Sequence, residues 1–341
     1  MTKRERVIAA LTHKETDFIP YQIDFTNQAW ETMAKYYNDN DFASKIGNHI
    51  DTCTYWGDPE PIPDRDGYFR DDFGVVWNRN GADKDIGVVE KILIPEPDLC
   101  NYKFPEVPEQ RIRERCESVL ANAGDKFTFA SISFSLFERA WTLTGMENLL
   151  AYMITDPDFV HTFFDKLVEY NMKIIKIYLE YDFDGIFLGD DWGQQKGLIM
   201  GPVFWRKFIK PQLAKMYSLG KDNGRFIGQH SCGDIQEIYP DLVEIGLDVH
   251  QTFQPEIFDV EEIKSLYRGK LSFWGGISTQ KLLPFATPSE LVQKSKEIMK
   301  IVSKGGGFIV APTHSIPGDV PAENMHTLIE LLKNQNESGV E

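Results

Sequence analysis

The sequence predicts an α/β protein, specifically a (β/α)8 TIM barrel with an irregular, partly helical N-terminal extension. Short apolar segments alternate with amphipathic segments from about residue 110 onward, which is typical of parallel βα units whose sheet is covered on both faces. Hydrophobic residues make up 42% of the 341 residues, enough for a large core. A doubly wound open sheet is the main alternative, but the glycine-rich dinucleotide turn expected after one of its early strands is missing from the sequence.

The elements follow one another in a regular order. Strands are predicted over residues 18–23, 127–134, 185–189, 225–229, 248–253, 271–274 and 307–311. Helices are predicted over residues 111–123, 146–180 with a break near Asp156 and Pro157, 202–219, 235–245, 257–267, 288–304 and 322–334. These strands come close to the eight that a closed barrel needs, and an ambiguous region could supply one more.

The first 110 residues are turn-rich and are predicted to form an extension that packs on the barrel. Proline-rich stretches at 58–63 and 95–97 interrupt regular structure there. The same region contains Trp56, Phe73 and Trp77, aromatic side chains that we expect to be buried. We therefore expect residues 1–341 to form a single domain.

Charge and cysteine usage limit the partners and the location. The chain has 36 Lys and Arg against 52 Asp and Glu, a formal net charge of −16, which disfavours nucleic acid and anionic membranes as partners. Its four cysteines lack the spacing of a disulfide framework, and its first residues predict an amphipathic helix rather than a signal peptide. With no apolar run of about eighteen residues, the sequence predicts a cytoplasmic, reduced protein.

Polar, glycine-containing tips follow several predicted strands, where barrel enzymes place their functional residues. His230 and Cys232 are two residues apart, so on an extended segment both side chains leave the same face. His314 follows the last predicted strand, and barrel closure should bring it to the same cavity. Three nitrogen and sulfur ligands with an open fourth position are typical of catalytic zinc. Taken alone, the His-x-Cys pair is a weak signal, and its default interpretation is a hydrogen-bonded core histidine beside a packed cysteine.

Asp190 and Asp191 follow the predicted strand at 185–189. Either carboxylate could act as a general acid or bind a substrate hydroxyl. Either could instead cap the N-terminus of the next helix. The residues by themselves leave both interpretations open.

Five sequence blocks resemble the uroporphyrinogen decarboxylase superfamily. They are MTKRERVIAAL (1–11), GDDWGQQKGLIMGPVFWRKFIKP (189–211), GQHSCGD (228–234), WGGIST (274–279) and APTHSIPGDVPAENM (311–325). The likeness spans nearly the whole chain, in family order, and implies a (β/α) barrel. True decarboxylases of this family carry an arginine-rich N-terminal segment that binds the substrate carboxylates. Here that region reads IPYQIDFTNQAW (19–30), without arginine, so decarboxylation of uroporphyrinogen is not expected.

Within this superfamily, the chain resembles the corrinoid-dependent methyltransferase branch more than the decarboxylases. It is similar to methylcobamide:coenzyme M methyltransferases and to O-demethylase methyltransferases. The zinc enzymes of this branch use a His-x-Cys pair and a later cysteine after an Ala-Pro-x sequence. His230 and Cys232 match the pair, and His314 stands where the second cysteine would be. One thiolate with two neutral imidazoles leaves zinc more positive than two thiolates would, which makes it a stronger Lewis acid.

The resemblance thus implies a zinc-assisted methyltransferase that works with a corrinoid carried by a partner protein. We expect it to demethylate a methoxylated, aromatic small molecule, with zinc or one of the two aspartates stabilising the departing oxygen. Candidate walls of the substrate pocket are Phe25, Trp30, Phe134, Phe137 and Trp274. The alternatives are methyl transfer from a methyl-corrinoid to a thiol such as coenzyme M, and a metal-stabilised scaffold without enzymatic activity.

Overall fold

The computed structural model describes residues 1–55, 57, 59–80 and 86–335. The strands are β1 (Ile50–Tyr55), β2 (Glu60–Pro61), β3 (Tyr68–Arg70), β4 (Val76–Asn78), β5 (Val88–Val89), β6 (Phe127–Ile132), β7 (Gly185–Gly189), β8 (Gly193–Gln194), β9 (Gly197–Leu198), β10 (Phe226–His230), β11 (Val249–Phe253), β12 (Ser272–Ile277) and β13 (Phe308–Pro312).

The helices are α1 (Lys3–Leu11), α2 (Asn27–Tyr37), α3 (Glu109–Asn122), α4 (Phe137–Thr144), α5 (Met146–Thr155), α6 (Pro157–Tyr178), α7 (Gly201–Phe204), α8 (Lys210–Asp222), α9 (Tyr239–Glu244), α10 (Val260–Tyr267), α11 (Leu282–Phe285), α12 (Pro288–Ser303) and α13 (Ala322–Lys333). Short 3-10 turns cover Phe42–Lys45 and Gln236–Ile238, and a π-helical turn covers Trp205–Ile209. None of the described helices is both long and apolar enough to cross a membrane.

Seven strands form one curved parallel sheet in the order β1-β6-β7-β10-β11-β12-β13. The segment from Pro20 to Phe25 lies between the two ends of this sheet. On one side Val310 N donates to Pro20 O (2.9 Å) and Gln22 N donates to Val310 O (3.1 Å). On the other side His49 N donates to Tyr21 O (3.0 Å). This segment therefore joins the two edges of the sheet and occupies the eighth strand position of the barrel. The predicted fold class is thereby confirmed.

Two differences from the predicted elements concern this N-terminal region. The strand predicted at 18–23 is reduced to isolated bridges from Tyr21 to Val310 and from Phe25 to Ile316. One of the seven strands of the sheet, β1, was not predicted; it lies inside the predicted extension and pairs with β6. Its sequence, IDTCTY, mixes polar and apolar residues without a regular alternation or an apolar run, so it was not predicted as a strand. The extension predicted over residues 1–110 is therefore in part barrel.

Aromatic side chains fill the barrel interior. Phe129, Phe187 and Trp274 meet with ring centroids 5.5–6.1 Å apart. Gly185 and Gly228 make room for them, because a Cβ at either glycine would lie 2.4 Å from a phenyl carbon of Phe129 or Phe187. Because these large rings pack closely against the glycines, they fill the interior of the barrel. Phe187 and Trp274 also line the cavity.

A small antiparallel sheet, β2-β3-β4-β5, lies over that cavity. Asp71, Trp77, Arg79 and Ile86 of this region line the cavity. Trp77 is buried and Phe73 is partly buried, as the sequence predicts. Trp56 lies outside the described residues.

Candidate metal centre and active-site cavity

Three side chains with metal-binding atoms converge at the carboxyl ends of β10 and β13. His230 is the last residue of β10, Cys232 follows two residues later, and His314 follows two residues after β13. One ligand atom from each side chain lies within 4.8 Å of the others, and this is the one such group of His, Cys, Asp and Glu among the described residues. The two distant parts of the sequence meet because the barrel closes.

The spacing of one pair in this group matches that of ligands around a tetrahedral metal ion. Cys232 Sγ lies 3.6 Å from His230 Nε2, and the rings of His230 and His314 have centroids 5.6 Å apart. Ligands at zinc-bond lengths of about 2.0–2.3 Å are separated from one another by roughly 3.3–3.8 Å. The His230–Cys232 pair already has this spacing.

Gln251 on β11 orients the His230 ring. Its Oε1 atom contacts His230 Nδ1. Because an amide oxygen only accepts hydrogen bonds, the proton of a neutral His230 is assigned to Nδ1, which leaves the lone pair of Nε2 directed at Cys232. This is the support that metal-binding histidines usually receive.

The surroundings of the group favour a cation. Asp191 Oδ1 lies 3.3 Å from His230 Nε2 and accepts a hydrogen bond from Cys232 N (2.7 Å). Burial raises the pKa of Asp191, but its contacts with His230 and Cys232 N hold it at about 2. Burial lowers the pKa of His230, yet Cys232 and Asp191 bring it well above its ordinary value. Surroundings that hold a proton on an imidazole would also stabilise a metal ion.

Asp190 has a different position from its neighbour. Its side chain is fully buried. Its oxygens accept hydrogen bonds from Phe137 N (2.9 Å), Glu138 N (2.7 Å) and the Trp192 indole (2.7 Å). Burial raises its pKa to about 6, so at neutral pH it is a carboxylate that accepts all three bonds. Asp190 caps a helix as one of the two interpretations predicts, but the helix is α4, which precedes it in the sequence.

A cavity of about 760 Å³ adjoins two of the three candidate metal ligands. Of the predicted pocket walls, Phe25, Phe134 and Trp274 line it, together with Asp191, His230 and His314. Trp30 and Phe137 do not line the cavity. The Trp30 ring packs against Phe42 (5.9 Å), and Phe137 is fully buried in the core. Periodicity cannot separate such core aromatics from pocket aromatics, because both are apolar positions near the same strand ends.

Glu138 also lines the cavity, and the sequence did not predict it as a site residue. It is the second residue of α4, a helix that was not predicted, so no pattern drew attention to it. Burial raises its pKa to about 8, and Asp191 and Asp190 contribute to that shift. At neutral pH this carboxyl group therefore holds its proton.

Charged side chains of the upper cavity are mostly paired. Arg139 forms a buried ion pair with Asp71 (2.6 Å), and Arg79 donates to Ile86 O (3.3 Å). Asp24 accepts a hydrogen bond from Gln22 Nε2 (3.0 Å), and burial raises its pKa. Among the described residues Arg79 and Arg139 supply the guanidinium groups of the cavity, and one of the two is already neutralised.

The chain resembles several curated proteins in sequence. A methylated-thiol–coenzyme M methyltransferase of Methanosarcina mazei is 24% identical over 200 residues, 58% of this chain and 50% of that protein. A uroporphyrinogen decarboxylase of Coxiella burnetii is 22% identical over 192 residues, 54% of this chain and 50% of that protein. The chain thus spans about half the length of the curated relatives it matches.

A solved structure and a family model extend the comparison. A methyltransferase from Methanosarcina mazei superimposes with a TM-score of 0.71 at 19% identity, over 98% of this chain and 99% of that one, which shows a shared fold. The family model for uroporphyrinogen decarboxylase (URO-D) matches residues 82–335. The predicted resemblance is thereby confirmed, and the chain belongs to the uroporphyrinogen decarboxylase family.

Proposed function

We propose that the protein is a zinc-assisted methyltransferase that moves a methyl group from a methoxylated aromatic compound to the cobalt of a corrinoid on a partner protein. The observation that carries this proposal is the convergence of His230, Cys232 and His314, two of which, His230 and His314, line the cavity. The fold shared with a methyltransferase and the sequence likeness to another support methyl transfer as the reaction class.

The residues of the chain would divide the work as follows. His230, Cys232 and His314 would hold the zinc, and Gln251 and Asp191 would orient and balance them. Bound there, zinc would supply Lewis acidity toward an oxygen leaving group.

The substrate ring would lie between aromatic walls. Phe25, Phe134 and Trp274 offer flat apolar faces, and Trp77 of the small sheet, which also lines the cavity, would cover the ring. Side chains that enclose the ring in this way also exclude water from the departing oxygen.

Methyl transfer can be followed directly by spectroscopy. The zinc-loaded protein is mixed with chemically reduced cobalamin and a panel of methoxybenzenes, and the absorbance of the reduced cobalt is replaced by that of methylcobalamin. Protein stripped of metal is the control and should turn over poorly. Without cobalt methylation from any methoxylated compound, the proposal fails.

Transfer from a methyl-corrinoid to a thiol is the second candidate, because one curated relative is a methylated-thiol–coenzyme M methyltransferase. Incubation of the protein with methylcobalamin and coenzyme M tests it. A thioether product without ether demethylation would favour this reaction, and no product in either direction would favour the scaffold role.

Uroporphyrinogen should not be a substrate. Of the two guanidinium groups that line the cavity, Arg139 is neutralised by Asp71, so the cavity lacks the cations that a substrate with many carboxylates requires. We expect no coproporphyrinogen when the protein is incubated anaerobically with uroporphyrinogen and the products are separated by chromatography. Formation of that product at about 1 per second, an ordinary enzymatic rate, would contradict the expectation.

A further inference from the structure

We propose that Glu138 is the catalytic proton donor, which delivers its proton to the oxygen that departs when the methyl group is transferred. This inference rests on the proposed ether demethylation and adds a residue that neither the sequence blocks nor the metal group includes. Its basis is the position of Glu138 in the wall of the cavity that Asp191, His230 and His314 also line, and the hydrogen bonds by which Asp190 holds its backbone.

The backbone of Glu138 is fixed at the cavity wall. It occupies the first turn of α4, directly after the loop that follows β6. The carboxylate of Asp190 accepts the main-chain N–H groups of Phe137 (2.9 Å) and Glu138 (2.7 Å). Asp190 is itself held by the Trp192 indole (2.7 Å). Asp190 is therefore a positioning residue for Glu138, with no direct access to substrate.

The neighbouring carboxylates are poor proton donors. Asp191 Oδ1 lies 3.3 Å from His230 Nε2 and accepts a hydrogen bond from Cys232 N (2.7 Å), and Asp190 accepts hydrogen bonds at both oxygens. Burial and these two negative charges raise the pKa of Glu138 to about 8, while His230 lowers it. Arg139, the next residue on α4, is engaged by Asp71. Adjacent carboxyl groups with separated pKa values are the usual arrangement for acid catalysis.

The step balances without any further reactant. The cobalt(I) of the partner's corrinoid supplies the electron pair of the new bond to the methyl carbon. The carbon–oxygen bond breaks, its electron pair leaves with the aryl oxygen, and the Glu138 proton passes to that oxygen. The products are a phenol, a methylated corrinoid and the Glu138 carboxylate, which takes a proton from water before the next turnover.

A leaving-group series with Glu138→Gln tests the assignment. The amide keeps the size of the side chain but has no proton to give. For methoxybenzenes with electron-rich rings we expect a loss of about 10²- to 10³-fold in kcat, within the range of general acid catalysis. For strongly electron-poor rings the loss should be below about tenfold, because those phenolates leave without a proton. Glu147→Gln, the same change at an exposed position in the first turn of α5, should match the wild type throughout.

The pH profile gives a second readout. Wild-type kcat should fall as the pH rises through the pKa of Glu138, because the carboxylate form has no proton to donate. Glu138→Gln should lack this fall, whereas Glu138→Asp, which keeps an acid on a shorter side chain, should retain it at a lower rate. Zinc content and thermal unfolding of each variant show whether its site and fold are intact.

The outcomes separate this inference from the proposed function. If the wild type and Glu138→Gln give parallel leaving-group series and the same pH profile, Glu138 is not the proton donor, although demethylation stands. If the wild type methylates cobalt from no ether at all, the demethylation itself is wrong. A phenyl dimethylsulfonium donor, whose leaving thioether needs no proton, should react equally well with the two proteins, and a large loss in the variant would contradict the assignment.

Discussion

Asp190→Ala should lower the free energy of unfolding by about 3–5 kcal/mol. The substitution leaves three buried donors without an acceptor: the N–H groups of Phe137 and Glu138 and the indole of Trp192. Each such group costs about 1–3 kcal/mol when its partner is removed. Relief from burying one negative charge offsets part of that cost, so the full sum is not expected.

Denaturant unfolding followed by tryptophan fluorescence and circular dichroism measures this loss. Asp182→Ala is the matched control, because the Asp182 side chain is 98% exposed and its ion pair with Arg225 lies at the surface. The control should stay within about 0.5 kcal/mol of the wild type. Asp190→Asn should fall between the two, since its amide retains one acceptor oxygen. A loss below about 1 kcal/mol for Asp190→Ala would show that the helix cap contributes little.

Cys232→Ser should abolish stable zinc binding. Wild-type protein is expected to carry one zinc per chain, and the variant should bind the ion at least about 100-fold more weakly, because even the outer partners of metal ligands contribute about 10- to 100-fold. The remaining imidazoles of His230 and His314 lack the thiolate that makes the site selective for zinc. Elemental analysis after dialysis against a chelator, with a competitive titration for affinity, gives both quantities.

Two further variants sharpen the metal experiment. Cys100 is exposed and far from the site in sequence, so Cys100→Ser should keep the full zinc content and exclude adventitious binding by surface thiols. His314→Cys replaces one ligand by another and should also keep zinc, while it makes the metal a weaker Lewis acid. If the wild type and Cys232→Ser hold equal amounts of zinc, or neither holds any, the site formed by His230, Cys232 and His314 is not a zinc site.

The sequence by itself predicts the barrel and most of the elements of its carboxyl-terminal two thirds, although it misses α4. Parallel strands covered on both faces are short apolar runs, and the helices between them have a polar and an apolar face, so local periodicity is sufficient to find them. The predicted barrel also implies that His230, Cys232 and His314 lie close together, because the carboxyl ends of all strands in a closed barrel face one cavity. The fold and the family are confirmed, whereas the zinc site and the methyl donor stay predictions.

What the sequence could not determine depends on contacts between distant segments. Asp190 and Asp191 are adjacent and alike in sequence, yet one faces the core and caps α4 while the other faces the cavity. Phe137 and Glu138 are adjacent too. Phe137 was predicted to line the pocket and Glu138 was not, but the aromatic ring packs into the core and Glu138 lines the cavity. The same holds for β1, which becomes a barrel strand by pairing with β6. In each case the decisive energy is burial or a hydrogen bond to a partner remote in the chain, and such partners exist only once the barrel has closed.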